Sequence, residues 1–464
     1  MKYPGKICAA LILLTALPLW SQDAPPAQFA PTVTGQDNAQ EQPQNQNDDM
    51  MLTPPVVSGQ TYPTEMDSQE RSNYLRAGMS FSSAYGNNAV TTANGKPANE
   101  MSYSVAPTLA LDETTSRLHS LLTYTPGFTF YQQTSYLNAS NENASIELQY
   151  RVSPHVTFSA RDALQKTSSV FSQPDFSSGG PVSGSSQPAN FSVIPPVADM
   201  LTNAGNVGLS YQFALNGMVG VSGTFSNLHY PAPAQVPGLY DSSSQAGSAF
   251  YSHRIFSRHY LGVTYQYQRL MAYPTTGFSE TQTHGIFVFY TVYLAPRLSL
   301  SVFGGPQYSD TIQPAVGALD FQLPVFKTWT PAAGGSLSWQ GRFNSFAMSY
   351  SHIISGGSGL VGAVQMDSAT MSLRQQITRS LTGALSGSYV QNDVINSFVP
   401  GAYSGHSASG TIALQRQFHQ SLNLQVGYTR LHQNYSDVAV LSQIPNTNRE
   451  FISLSYQFSR PMGR

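Results

Sequence analysis

Ten histidines are scattered along this 464-residue chain, and some adjoin a serine, as in Ser252–His253, Ser351–His352 and His406–Ser407. A hydroxyl beside an imidazole is the raw material of nucleophilic hydrolysis, but a triad needs nucleophile, base and orienting acid to converge in space. Sequence neighbours in an extended segment point to opposite faces, so adjacency alone does not make the contact. Metal chemistry finds less support. The single cysteine, Cys8, lies in the first ten residues, and no two histidines stand at the spacing of a ligand motif. Gly304–Gly305 and Gly356–Gly357 end apolar segments and read as bulges or turns, not as a phosphate cradle. No catalytic, cofactor-binding or metal residue is therefore expected, and the chain is not read as an enzyme. What remains is charge. Only 10% of residues are charged, against roughly 25% in an ordinary soluble protein. Five of them, Arg76, Glu100, Glu147, Arg161 and Arg374, stand in alternating segments and are the candidate site residues.

The elements that hold these residues repeat one plan from about Ser72 onward. In 452–458, Ile452, Leu454, Tyr456 and Phe458 alternate with Ser453, Ser455 and Gln457. Strand side chains alternate faces, so each such segment has one apolar and one polar face. About eighteen segments of roughly ten residues follow this pattern (sixteen if the two weakest, 75–85 and 245–254, do not stand alone), and no helical segment covers them. Their connections alternate in length. Short ones, such as Ser153–His155, Ala295–Arg297 and Thr378–Ser380, separate long ones such as 131–143, 166–203, 228–244 and 432–448. The pattern predicts an all-β fold: a transmembrane antiparallel up-and-down barrel, apolar toward lipid and polar toward the lumen, with short periplasmic turns and long extracellular loops. The short turns look like internal repeats: Leu294-Ala295-Pro296-Arg297-Leu298 resembles Val152-Ser153-Pro154-His155-Val156.

Composition agrees. Aromatics make up 11%, with 26 Tyr and 24 Phe, while the mean hydropathy is only −0.20. Those values fit a barrel in which every second residue faces water. The net charge of −2 gives no argument for nucleic acid. Residues 1–21 read as a signal peptide: Lys2 and Lys6 precede an apolar stretch from Ile7 to Leu17 that is too short to span a bilayer. Residues 22–70, rich in Pro, Gln, Asn and Asp, read as a disordered periplasmic tail in which Met51–Val57 is the one apolar spot. Residues 71–464 form the barrel.

Aromatics recur at the ends of the apolar faces, with Tyr150, Phe213, Trp339, Phe418 and Phe458 at one end and Tyr85, Phe128, Phe225, Tyr389 and Tyr428 at the other. Amphipathic rings favour the headgroup level, so two girdles are expected. Pro107 and Pro126 interrupt strand pattern and predict bulges or an early strand end. The leader, the polar lead-in, the hairpin array and the final Tyr456-Gln457-Phe458 together resemble the outer-membrane β-barrel proteins, porin-like, of Gram-negative bacteria. The likeness covers about 70–464. It departs at the end, where Ser459 to Arg464 continue past the terminal aromatic.

The resemblance implies residence in the cell outer membrane. It also implies contact with outer-membrane lipid and recognition by the barrel-assembly machinery through the strand 449–458. A homo-oligomer is compatible with the pattern. An eight-strand barrel is filled by side chains, whereas sixteen to eighteen strands leave an aqueous channel. Inward faces such as Ser145-Glu147-Gln149 and Thr370-Ser372-Arg374 are mostly neutral hydrogen-bonding groups. The expected function is passive diffusion of small, mostly uncharged polar solutes, with Arg76, Glu100, Glu147, Arg161 and Arg374 as candidate lumen or constriction residues. The alternative is a non-transporting surface barrel that binds glycan or matrix, or has a structural role, through its extracellular loops. Tyr240, Phe321 and Trp329 are its candidate contacts, and 166–203 is a loop that could fold into the mouth.

Overall fold

The computed structural model describes residues 73–91, 97–167, 198–274, 278–312, 326–341, 343–356, 359–360, 363–395, 404–419, 421–435, 438 and 446–461. The leader, the segment 22–70, most of the loop 166–203 and Phe321 lie outside the described residues.

Eighteen strands form. The first six are β1 (Asn73–Thr91), β2 (Pro97–Thr114), β3 (Leu118–Tyr131), β4 (Ala139–Ser153), β5 (Val156–Thr167) and β6 (Met200–Ala214). The next six are β7 (Gly217–His229), β8 (Asp241–Phe256), β9 (His259–Tyr273), β10 (Ser279–Ala295), β11 (Leu298–Ile312) and β12 (Phe326–Gln340). The last six are β13 (Asn344–Gly356), β14 (Ala363–Gln376), β15 (Leu381–Val394), β16 (Gly405–His419), β17 (Leu422–Tyr435) and β18 (Asn446–Pro461). Each pairs antiparallel with the next, and β18 pairs back onto β1 from Tyr74↔Pro461 to Asn87↔Asn448. The barrel is closed, so no strand edge is left to seek a partner. The residues past Phe458 are part of that closure: Ser459, Arg460 and Pro461 pair with Arg76, Leu75 and Tyr74.

Alternation decides the faces. Ile452, Leu454, Tyr456 and Phe458 stand exposed on the outside, as do Val207, Leu209, Tyr211 and Phe213 on β6. Their neighbours Ser453, Ser455 and Gln457 therefore point into the bore. β8, whose parity is not clean in the sequence, resolves with Tyr251 outward and Ser252 fully buried inward. Strands run 12 to 19 residues, longer than the sequence pattern alone predicts, because the ladders continue past the apolar band. Five of the eight short turns share one device. At Ser153↔Val156, Ala214↔Gly217, Phe256↔His259, Ala295↔Leu298 and His419↔Leu422 the register slips by one residue just before the chain reverses. The repeated turn sequences thus fold as repeated bulged turns.

The proline expectation needs correction. Neither β2 nor β3 bulges or stops. Pro107 and Pro126 fall directly opposite one another, and the ladder simply lapses between Val105↔Phe128 and Leu109↔Tyr124 without a change of register. Facing the two prolines at each other confines their missing donors to one interruption.

Aromatic rings repeatedly lie over a glycine on the adjacent strand. Phe289 faces Gly262, Phe303 faces Gly334, Phe250 faces Gly220 and Phe451 faces Gly427. A Cβ at any of these glycines would overlap the ring. The ring fills the space a side chain would take and covers the bare backbone. Gly262→Ala is accordingly expected to cost ~1–3 kcal/mol through overpacking. Gly247→Ala, where a Cβ meets nothing within 4 Å, should leave denaturant unfolding unchanged or slightly stabilised.

Candidate functional site

The bore is the candidate site, and its wall has two characters. On β2–β4 and β13–β17 it is a lattice of hydroxyls paired across neighbouring strands. Examples are Thr123 with Ser145 at 2.6 Å, Ser349 with Thr370 at 2.6 Å, Ser388 with Ser409 at 2.7 Å and Thr411 with Thr429 at 3.0 Å. Each pair lies directly opposite in the register, where hydroxyl side chains meet most closely. On β7–β11 the inward face carries Phe250, Tyr260, Phe287, Phe289, Tyr293 and Phe303.

All five candidate charged residues have inward parity, at different places. Arg76 lies near the short-turn end, 3.5 Å from Asp112, which also approaches His119 at 3.6 Å. These three come from β1, β2 and β3, so their meeting is a product of register. Glu147 and Arg161 are directly opposite on β4 and β5. Arg374 lies on β14 between Ser345 and Ala384, on the far side of the eighteen-strand ring from them. Glu100 has another task. It is 2% exposed at the long-loop end of β2 and accepts hydrogen bonds from the Gln133 and Thr134 amides and the Thr134 hydroxyl at 2.8, 3.1 and 2.9 Å. Its carboxylate satisfies the orphan donors of the turn after β3, so it anchors a connection rather than facing a solute. Sequence reasoning left out the inward residues Asp112, His119, Arg151 and Arg254.

The feature with the greatest effect on the bore lies at the long-loop end of β13 and β14. β12 and β13 pair over eight residue positions only, the last being Ala333↔His352. Above that, β13 leaves the wall and reaches β8 and β9, four and five strands away round the ring. β14 stays paired on both sides, with β13 to Gly356↔Ala363 and with β15 to Val364↔Val394, so the sheet edge freed from β12 bends inward as a unit. At the tip, Gly359 has φ +100°, a conformation that favours glycine, and its carbonyl accepts a 2.8 Å hydrogen bond from the Tyr240 amide. The Ile354 amide donates to Gln307 of β11 at 3.2 Å, and the Ile395 amide donates to the Ala363 carbonyl at 3.4 Å.

Around this inward hairpin an apolar core forms inside the barrel. Ile353, Leu360, Val364 and Met366 pack with Phe287, Phe289 and Phe303, with Leu228, Tyr230, Val236 and Leu239, and with Tyr435 and Val438. Its members come from β6 round to β17, so it joins walls that stand opposite each other in the ring. The segment after β7, which carries the candidate contact Tyr240, therefore packs Tyr230, Val236 and Leu239 into the interior core rather than displaying them outward. Burial, and then the nearby Asp241 carboxylate, push the Tyr230 phenol up from its ordinary value, so it stays a donor. Trp329 also needs correction. It is part of β12, 69% exposed on the outer face, with its ring 5.2 Å from that of Tyr308.

The histidines serve mainly the rims. His229 meets Asp241 at 2.6 Å, and His352 meets Asp367 at 2.7 Å on the outer face, where Tyr350 also donates to Asp367. Ser252 points inward while His253 points outward. Among the described residues, no group of three or more His, Cys, Asp or Glu side chains is placed to hold a metal ion.

No family model and no curated protein matches the chain. Similar solved structures include Acinetobacter baumannii OccAB4, at 9% identity and TM-score 0.37, covering 84% of this chain and 99% of that one. Pseudomonas aeruginosa OccK2 (OpdF) matches at 11% identity and TM-score 0.40, covering 84% and 98%. The ferric citrate transporter FecA matches at 9% identity and TM-score 0.40, covering 84% and 79%.

A closed antiparallel barrel with an apolar exterior, aromatic rims and a polar-walled bore is the architecture of an outer-membrane protein. The chain is an outer-membrane β-barrel and resides in the cell outer membrane.

Proposed function

We propose that this barrel is a narrow outer-membrane channel for passive diffusion of small, mostly uncharged polar solutes, constricted by its own β13–β14 hairpin. The observation that carries this reading is the hydroxyl lattice on β2–β4 and β13–β17, within a ring of eighteen strands. Eighteen strands are wide enough for an aqueous bore. Paired hydroxyls can exchange their hydrogen bonds for those of a sugar-like solute without leaving a charge unpaired. In this reading Glu147 and Arg161 on one wall and Arg374 on the opposite wall meet a solute below the hairpin, and Arg76 holds the entrance through Asp112. β18 serves as the strand that the barrel-assembly machinery engages.

A second reading draws on the apolar core that joins opposite walls. A bore filled to that depth fits a barrel that acts through its surface and does not conduct. Single-channel recording of the refolded protein separates the two. The channel reading expects small, weakly ion-selective steps that neutral sugars block. Silence from a barrel that is folded by heat-modifiability favours the surface reading.

A further inference from the structure

We propose that Gln433 and Asn392 form a binding site for a neutral polyhydroxy solute, held shut by the β13–β14 hairpin and uncovered when the hairpin swings aside. The site rests on the channel reading above and names the place where the bore first holds its solute.

Both side chains point inward at the long-loop end. Tyr389 and Tyr428 face outward on the same strands, an odd number of residues from Asn392 and Gln433. Each of the two amides is 0% exposed. Among the described residues, neither Nε2 nor Oε1 of Gln433 has a hydrogen-bond partner, and neither does Oδ1 of Asn392. A buried polar group left unpaired forfeits its hydration without return. Such groups are rare in native interiors, and a bound ligand is one reason for them.

The surroundings hold these atoms in place. Gln433 stands opposite Ser407, while Asn392 and Tyr435 flank Gly405 in the adjoining row. The Tyr435 ring lies where a Cβ of Gly405 would be. Its hydroxyl therefore reaches across the glycine and accepts a 3.1 Å hydrogen bond from Asn392 Nδ2. Ser407 bonds the same hydroxyl. The network uses the Asn392 amide nitrogen and leaves its carbonyl oxygen unpaired. The unpaired atoms are thus one donor group and two acceptors, all on neutral side chains. A vicinal diol is the complement, because each hydroxyl both donates and accepts. Neither amide offers a charge to offset the desolvation of an ionic solute.

The cover is the interior core. Met366 and Tyr435, both members of it, share a row with Asn392, and Ile353, Leu360 and Val364 of the hairpin belong to the same core. On the β11–β12 wall, Ser309 and Thr330 also bury unpaired hydroxyl oxygens. The shut hairpin therefore carries a penalty that hydration or a solute relieves.

The test follows hydrogen exchange of the Ile354 amide, which donates to Gln307 while the hairpin is shut, in the full refolded chain. Sucrose should speed this exchange severalfold, and gluconate should not. Gln433→Met keeps the volume and removes the unpaired groups, so it should slow the exchange severalfold and abolish the sucrose response. Gln433→Glu buries a charge in the shut state and should speed the exchange without any solute. Heat-modifiability checks that each variant folds. Faster exchange in Gln433→Met, slower exchange in Gln433→Glu, or a sucrose response that survives Gln433→Met overturns the proposal. So does an equal response to gluconate. In bilayers, Gln433→Met should weaken sucrose block severalfold. Silence of both proteins counts against the channel reading and leaves the exchange result to decide the site.

Discussion

Shortening the hairpin between Ile354 and Ala363 to a tight turn is expected to raise single-channel conductance severalfold. This segment leaves the wall at Ile353, crosses to β8 and β9, and brings Leu360 and Val364 into the apolar core within the bore. Its removal takes Leu360 out of that core and the tip that seats Ile353 and Val364 within it, while leaving the β12–β13 ladder, which ends at Ala333↔His352, intact. The outer wall should close as before, since all eighteen strand pairings survive outside the deleted tip. Heat-modifiability and β-sheet circular dichroism check that. Unchanged conductance from a folded variant would show that the hairpin is not the constriction. The shortened barrel should also lose selectivity against larger sugars, because the hydroxyl lattice on β2–β4 and β13–β17 would then line a wider path.

The second large effect is on stability. Phe287 is 1% exposed and packs inside the barrel, edge-on to Phe303 with ring centroids 6.0 Å apart. Its ring also covers Gly285 on the same strand. Phe287→Ala should cost ~3–5 kcal/mol, as for a buried aromatic in a soluble core, because the space left cannot refill. Its neighbour Val288 is 55% exposed on the lipid face. Val288→Ala should cost roughly 1–2 kcal/mol, the transfer term alone, because lipid closes over the missing methyls. Guanidinium unfolding of the two variants in the same lipid provides the comparison. Equal losses would mean that Phe287 is not part of a packed interior.

These two residues also show what the sequence could and could not disclose. Strict alternation made the eighteen strands, the closure and the outward aromatic rims legible, because one face of every strand meets lipid and the other meets water. Where the bore is not wet, alternation fails. Ile286-Phe287-Val288-Phe289-Tyr290 is apolar on both faces, the mark of a strand buried on both sides. Ile353-Ile354 next to a glycine-rich tip carries the same signal. Read as local turn sequence, it gave no hint of where the hairpin would go. That depends on pairing lost between β12 and β13 and on partners drawn from β7, β10 and β11, none of which is near in sequence. Among the candidate residues, Glu147 and Arg161 follow from hairpin register. The Arg76–Asp112–His119 group needs three strands in register, and the role of Glu100 depends on the shape of the turn it anchors.

An empty cylinder of eighteen strands is soft. Its cross-section can flatten under lateral pressure at little energetic cost, since each ladder bends only slightly. The apolar core changes that mechanics. By joining β6–β7 to β14 and β17 it works as an internal strut, and the cross-section can become elliptical only by pulling packed side chains apart. Gate and stiffener are then the same element. Changes in bilayer thickness or tension should leave the intact protein unmoved, and the hairpin-shortened barrel should respond to them.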